Sequence, residues 1–160
     1  MYVVFRFPNH SDSEKAQRAA AAIALAVIVA HAPTSVASLE DKSAFYDFFT
    51  RACHELRTKH GDELRHTLLG DFNAKIGPMN SFSCGSVGSE VETESGSMLR
   101  DFADEHSFKL LNTFRCDSSR TTTWADNNGG QHRLDYVISD AVTSESLSKL
   151  WVVDEIDLST

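Results

Sequence analysis

Four short stretches carry side chains able to do chemistry. In "LLGDFNAKIG", Leu68 to Gly77, a carboxylate (Asp71) and a carboxamide (Asn73) stand where an apolar strand ends. In extended geometry they share one face, with Phe72 turned the other way. The pair suits phosphodiester hydrolysis. A carboxylate orients or deprotonates a water, and a carboxamide donates to a phosphate oxygen as charge develops there. The same two residues also suit an Asx-type turn, each capping backbone groups. "RLDYVI" sets Asp135 inside an apolar strand, flanked by Leu134 and Tyr136 on the opposite face. A buried carboxylate there needs a cation, a histidine or backbone donors; on an edge strand it simply faces water. "HAPTS" brings His31 and Thr34 to the C-terminal end of a strand, where ligands gather in α/β folds. Its plainer reading is a satisfied loop histidine. In "TTTW", Trp124 reads as packing or as a nucleotide contact. His10, His54, His60, His66, His106 and His132 show no ligand spacing.

These residues need elements to hold them. Residues 19–30 read "AAAAIALAVIVA", twelve apolar residues. That falls short of the roughly 18–20 that span a bilayer. Its acidic upstream flank, with Asp12 and Glu14, does not suit a secretory signal. The pattern predicts an Ala-rich turn running into a buried strand from Ile23 to Val29. "SLEDKSAFYDFFTRACHELRTKHGDE" predicts a helix. Ser38 and Asp41 form its capping pair, Gly61 is its stop, and Phe45, Phe48, Phe49, Ala52 and Leu56 line one face. His66 to Leu69 is a strand feeding Asp71. Gly77 to Gly96 is a long loop rich in Gly and Ser. Ser97 to His106 is a second helix with Met98, Leu99, Phe102 and Ala103 inward. "FKLLNTF" and "RTTTW" are strands, "ADNNGGQH" is a turn, "RLDYVIS" is the returning strand of a hairpin-like pair, and "KLWVVDEI" is a last strand. Interleaved strands and helices give the α/β class.

The totals set bounds. A chain of 160 residues suits one domain. Hydrophobic residues at 41% with charged residues at 24% are globular composition. The net charge of −8 argues against a passive nucleic-acid clamp. It is compatible with an enzyme that meets phosphate through a divalent cation, which acidic side chains hold. Three scattered cysteines make neither a disulfide framework nor a zinc site, and free thiols in a reducing compartment are the expectation.

Taken in order, "HAPTS", an aromatic helix, "GDFNAKIG", a Gly-rich loop, "LLNTF", "TTTW" and "RLDYVI" resemble the endonuclease/exonuclease/phosphatase superfamily. More narrowly they are similar to the apurinic-type endonuclease domain of non-LTR retrotransposons and to craniofacial-development-like proteins. The resemblance runs from about Ile23 to Asp157. It divides the chain into residues 1–22, poorly matched, and 23–160, a partial domain of that family.

The resemblance implies a four-layer α/β sandwich of two mixed β-sheets with flanking helices, truncated at both ends. It implies a Mg²⁺- (or Mn²⁺-) dependent phosphodiesterase that nicks DNA, intracellular and nuclear. Asp71 would activate the attacking water and contribute weakly to metal binding. Asn73 would contact phosphate, Asp135 would orient a catalytic histidine, and Thr34 would lie near the phosphate. Three positions depart from the pattern. His31 stands where the family usually has Tyr, and an imidazole there can still donate to phosphate. Only Glu14 stands upstream, where the family has its metal-binding Glu. The chain reads "DEIDLST" about where a Ser-Asp-His box would begin. Impaired cleavage is therefore expected. A non-catalytic relic and a phosphoinositide or lipid phosphodiesterase are the alternatives, and sheets short of strands favour self-association.

Overall fold

The β-branched run ending at His31 supplies the backbone around which the other strands assemble. The computed structural model describes residues 2–7, 23–61, 63–114, 116 and 121–146. Strands β1 (Tyr2–Phe7), β2 (Ile23–His31), β3 (Arg65–Asp71), β4 (Phe108–Leu110) and β7 (Asp135–Asp140) form a five-stranded sheet in the order β1-β2-β3-β7-β4. β2 and β3 run parallel and the other pairs antiparallel, so the sheet is mixed. β5 (Trp124–Ala125) and β6 (Gln131–His132) make a separate two-stranded ribbon. Helices α1 (Leu39–His60), α2 (Glu94–Glu105) and α3 (Ala141–Ser146) complete the mixed α/β architecture.

Period-two alternation separates the two faces of the sheet. One presents Ala24, Ala26, Ile28, Ala30, Leu68, Tyr136 and Ile138, all buried in a core shared with Phe49, Cys53 and Leu56 of α1 and Leu99, Phe102 and Ala103 of α2. Phe72 joins the layers through edge contacts with Phe45 and Tyr136. The other face carries Val3, Val27, Val29, Leu69 and Val137, of which Val3 and Val29 are exposed. No helix among the described residues is long and apolar enough to cross a membrane.

α1 begins as its sequence predicts. Ser38 caps it, its Oγ accepting from the Asp41 amide at 3.1 Å, and Gly61 closes it at φ 96°. Phe48, expected inward, is 58% exposed, and the buried face is instead Lys42, Phe49, Cys53 and Leu56. α2 starts three residues before the expected Ser97, because Thr93 caps it by accepting from the Gly96 amide. Only Phe108–Leu110 of "FKLLNTF" is strand. Leu111–Thr113 turns into a 3₁₀ helix, where the Thr113 hydroxyl donates to the Leu110 carbonyl at 2.6 Å and competes with a strand ladder. The expected hairpin of "TTTW" with "RLDYVIS" is divided. Trp124 and Ala125 pair with Gln131 and His132, while β7 crosses into the main sheet between β3 and β4. β1 is a strand that the sequence reading did not assign. Glu14 and "KLWVVDEI" lie outside the described residues.

Candidate functional site

Register brings three of the candidate residues into one row. His31 pairs with Asp71 across the parallel β2–β3 ladder, and Asp71 pairs with Asp135 across the antiparallel β3–β7 ladder. Paired residues share a face, so His31, Asp71 and Asp135 stand side by side at one end of the sheet, on the face away from α1 and α2. The next pair along, Phe72 and Leu134, is hydrogen-bonded, the Phe72 amide donating to the Leu134 carbonyl at 2.8 Å. Alternation then makes Asp71–Asp135 a non-hydrogen-bonded pair, the kind whose Cα atoms approach to about 4.5 Å and whose side chains lie closest. Like charges in that position repel. A cation or a bound donor between them relieves the repulsion.

The strand ends are fastened so that this row is shared. The Ala32 amide donates to the Asp71 carbonyl at 2.8 Å, and Asn73 Nδ2 donates back to the Ala32 carbonyl at 2.9 Å. Gly70 makes the approach possible. A Cβ there would lie 1.9 Å from the Ala30 carbonyl oxygen, and its φ is +144°. Asp71 Oδ1 accepts from the Asn73 amide at 2.8 Å. Asn73 is not in extended geometry: β3 ends at Asp71 and Asn73 has φ 47°. The Asx-turn reading of the pair is thus realised. The carboxamide still has a second Nδ2 hydrogen to offer.

Downstream, Lys75 is anchored to the cap of α2. Its amide donates to Thr93 Oγ1 at 3.2 Å, and its carbonyl accepts from the Thr93 amide at 3.1 Å. Thr34 lies exposed in the turn after β2. Lys42, buried in the first turn of α1, holds that turn by donating to the Ser35 carbonyl at 3.1 Å and to Glu94 at 2.8 Å. Trp124 is not core packing: it is 49% exposed and stacks on His132 at 5.7 Å between ring centroids. His132 Nδ1 lies 2.6 Å from Glu90 Oε2 and its Nε2 3.5 Å from Asp126 Oδ2.

Sequence reasoning passed over the residues that hold Asp135. Thr123 Oγ1 accepts from the Leu134 and Asp135 amides at 3.0 and 3.2 Å. Asn112 Nδ2 donates to the Asp135 carbonyl at 2.9 Å, and its Oδ1 accepts from the Val137 amide at 3.3 Å. Arg133, 2% exposed, donates to the carbonyls of Asn112, Val87 and Gly88. An arginine at the start of an apolar strand was the available signal, since such a cation is buried only if its donors are matched.

Among the described residues, no group of three or more His, Cys, Asp or Glu side chains is placed to hold a metal ion. Two half-buried carboxylates on one face do fit a hard dication that keeps most of its waters, as Mg²⁺ does. A cavity of about 590 Å³, lined by Tyr2, Ile28, Phe48, Arg51 and Leu56 among others, lies on the helix-covered face, across the sheet from the row.

No protein-family model matches the chain, and no curated protein matches it. Solved structures do. The catalytic domain of Xenopus laevis APE2 aligns over 90% of this chain and 46% of its own length, with 16% identity and a TM-score of 0.54. The 3′ phosphatase NExo from Neisseria, bound to product DNA hairpin, aligns over 76% of this chain and 50% of its own, with 17% identity and a TM-score of 0.48. The likeness to APE2 is one of fold. The chain spans about half the length of these structures.

Proposed function

We propose that the His31–Asp71–Asp135 row is a phosphodiester-hydrolysing site of low efficiency acting on DNA. The observation that carries this reading is the register, which aligns an imidazole and two carboxylates drawn from three sequence-distant segments. Asp71 takes the proton of a water as its oxygen attacks phosphorus, the P–O bond to the leaving sugar oxygen breaks, and that oxygen takes a proton from solvent. The second Nδ2 hydrogen of Asn73 and the His31 imidazole donate to phosphate oxygens. Asp135 orients a donor beside them. Thr34, exposed in the turn after His31, and Trp124, exposed next to Thr123, contact the nucleic acid. Asp71 and Asp135 would hold Mg²⁺ or Mn²⁺, which when bound neutralises charge on the phosphate. DNA as the substrate class rests on the resemblance of the sequence motifs to apurinic-type endonuclease domains.

The test is nicking of supercoiled plasmid in Mg²⁺. Asp71→Ala should slow cleavage by about 10²-fold or more. Cleavage at the wild-type rate in that variant removes Asp71 from the role. A second reading, in which the row is non-catalytic, is favoured by one observation: Asp71 and Asn73 both engage backbone groups at the strand end. Calorimetric titration with Mg²⁺ separates the two. Binding that disappears in Asp71→Ala speaks for the hydrolytic site, and no binding in the wild type speaks for the strand cap.

A further inference from the structure

Among the described residues, β7 has no neighbouring strand beside Asp135 and Val137 on its β4 side, where β4 pairs with it from Ile138 to Asp140. The amides of Asp135 and Val137 and the carbonyl of Asp135 therefore have no described strand to bond. Unmet backbone groups are costly unless side chains or water meet them. Asn112 meets two of them with one carboxamide, donating to the Asp135 carbonyl and accepting from the Val137 amide. It does what the peptide group of an adjacent strand would do. Thr123 Oγ1 meets the third, the Asp135 amide, and takes the Leu134 amide as well.

We propose that Thr123 and Asn112 form a side-chain clamp that fixes Asp135 opposite Asp71, with Arg133 as the residue that holds the clamp in place. This rests on the reading of Asp135 as a site residue. Arg133 ties the clamp down from behind. One arm of its guanidinium donates to the Asn112 carbonyl at 2.7 Å, and the other donates to Val87 and Gly88 of the long loop at 2.6 and 2.9 Å. Its own amide donates to Glu90 Oε1 at 2.9 Å, while the other oxygen of Glu90 meets His132 of the ribbon that carries Trp124. A continuous β4 ladder would fix β7 along its length as sheet. The clamp fixes the first residues alone, and couples them to the long loop and to the ribbon. Thr123, Asn112 and Arg133 are positioning residues: they act through Asp135.

The experiment compares Thr123→Val, which keeps the shape and removes the oxygen, with Thr123→Ser, which keeps the oxygen. Two readouts are taken on the full chain: the hydrogen-exchange rate of the Asp135 backbone amide, followed by NMR, and kcat and KM for plasmid nicking in Mg²⁺. Thr123→Val should raise that exchange rate about tenfold or more and lower kcat about tenfold or more, with KM within about twofold, because small misplacements of a site group act on the chemical step. Thr123→Ser should restore both. The clamp is overturned if Thr123→Val leaves the Asp135 amide exchange in place, or if Thr123→Ser fails to restore it. If the wild-type chain nicks nothing, the hydrolytic reading falls, and the amide exchange still decides the clamp. If Thr123→Val does not fold, Arg133→Lys, which keeps the charge and loses the fork, is read in the same two ways.

Discussion

Asp71 and Asp135 face each other at the closest kind of cross-strand position, and that geometry has an energetic consequence. Directly opposed like charges on a sheet cost a fraction of a kcal/mol up to about 1 kcal/mol. A chain under no demand beyond stability would place a neutral residue at one of the two positions. Asp135→Asn keeps the shape and removes one charge. In buffer with chelator and low salt, the variant should be more stable by about 0.5 kcal/mol, read from the urea midpoint. The same variant should lose nicking. A drop in stability would show instead that the carboxylate is held by donors which the amide cannot satisfy. Either result is sharper at low ionic strength, because salt screens a pair that is only half buried.

At the scale of elements, α1 shows how much a local signal can carry. Ser38 Oγ accepts from the Asp41 amide, and its hydroxyl donates to Asp41 Oδ2 at 2.6 Å. Glu40 and Asp41 stand in the first turn, with Arg57, Lys59 and His60 in the last, as the helix dipole favours. Ser38→Ala should cost about 1 kcal/mol and Ser38→Asn only a few tenths, in urea unfolding. Equal losses for both would mean that the cap hydrogen bond contributes nothing. Signals of this kind made α1 and β2, the strand feeding Asp71 and the turn at Asp126 legible, because each depends on residues within a few positions of one another. Strand pairing was not legible. "TTTW" and "RLDYVIS" look like hairpin partners, yet β7 is drawn between β3 and β4 by its apolar positions Tyr136 and Ile138, which complete the core face beside Leu68. The candidate residues were found by type and motif. Their alignment in one row follows from a register that joins positions 31, 71 and 135, and no local pattern encodes it. Asn112 was hidden for the same reason: in "LLNTF" it reads as one residue of a strand, and its partners are 23 and 25 positions away.

The molecule as a whole places its polar row at one end of one sheet face and seals other ionisable groups into the core on the opposite face. His66 is the sharpest case. It is fully buried on the helix-covered face, and neither ring nitrogen has a hydrogen-bond partner among the described residues. Burial, helped by the charge of Arg57, pushes its imidazole down to about 4. His106, packed nearby against Phe102 and Phe108, is lowered for the same first reason, burial. A histidine whose folded value lies below its unfolded value of about 6.5 takes up its proton more readily in the unfolded chain. Stability from this group is therefore complete above about pH 6.5 and falls as pH drops towards 4. Below that it changes no further on this account. For His66 alone the loss is on the order of 3 kcal/mol across the window, a large share of the stability of a domain this size. Urea unfolding at pH 7.5, 6, 5 and 4 should follow that fall. His66→Leu, which fills the same space without a titrating ring, should flatten most of it. A dependence as steep in His66→Leu as in the wild type would assign the acid sensitivity to other groups, beginning with His106.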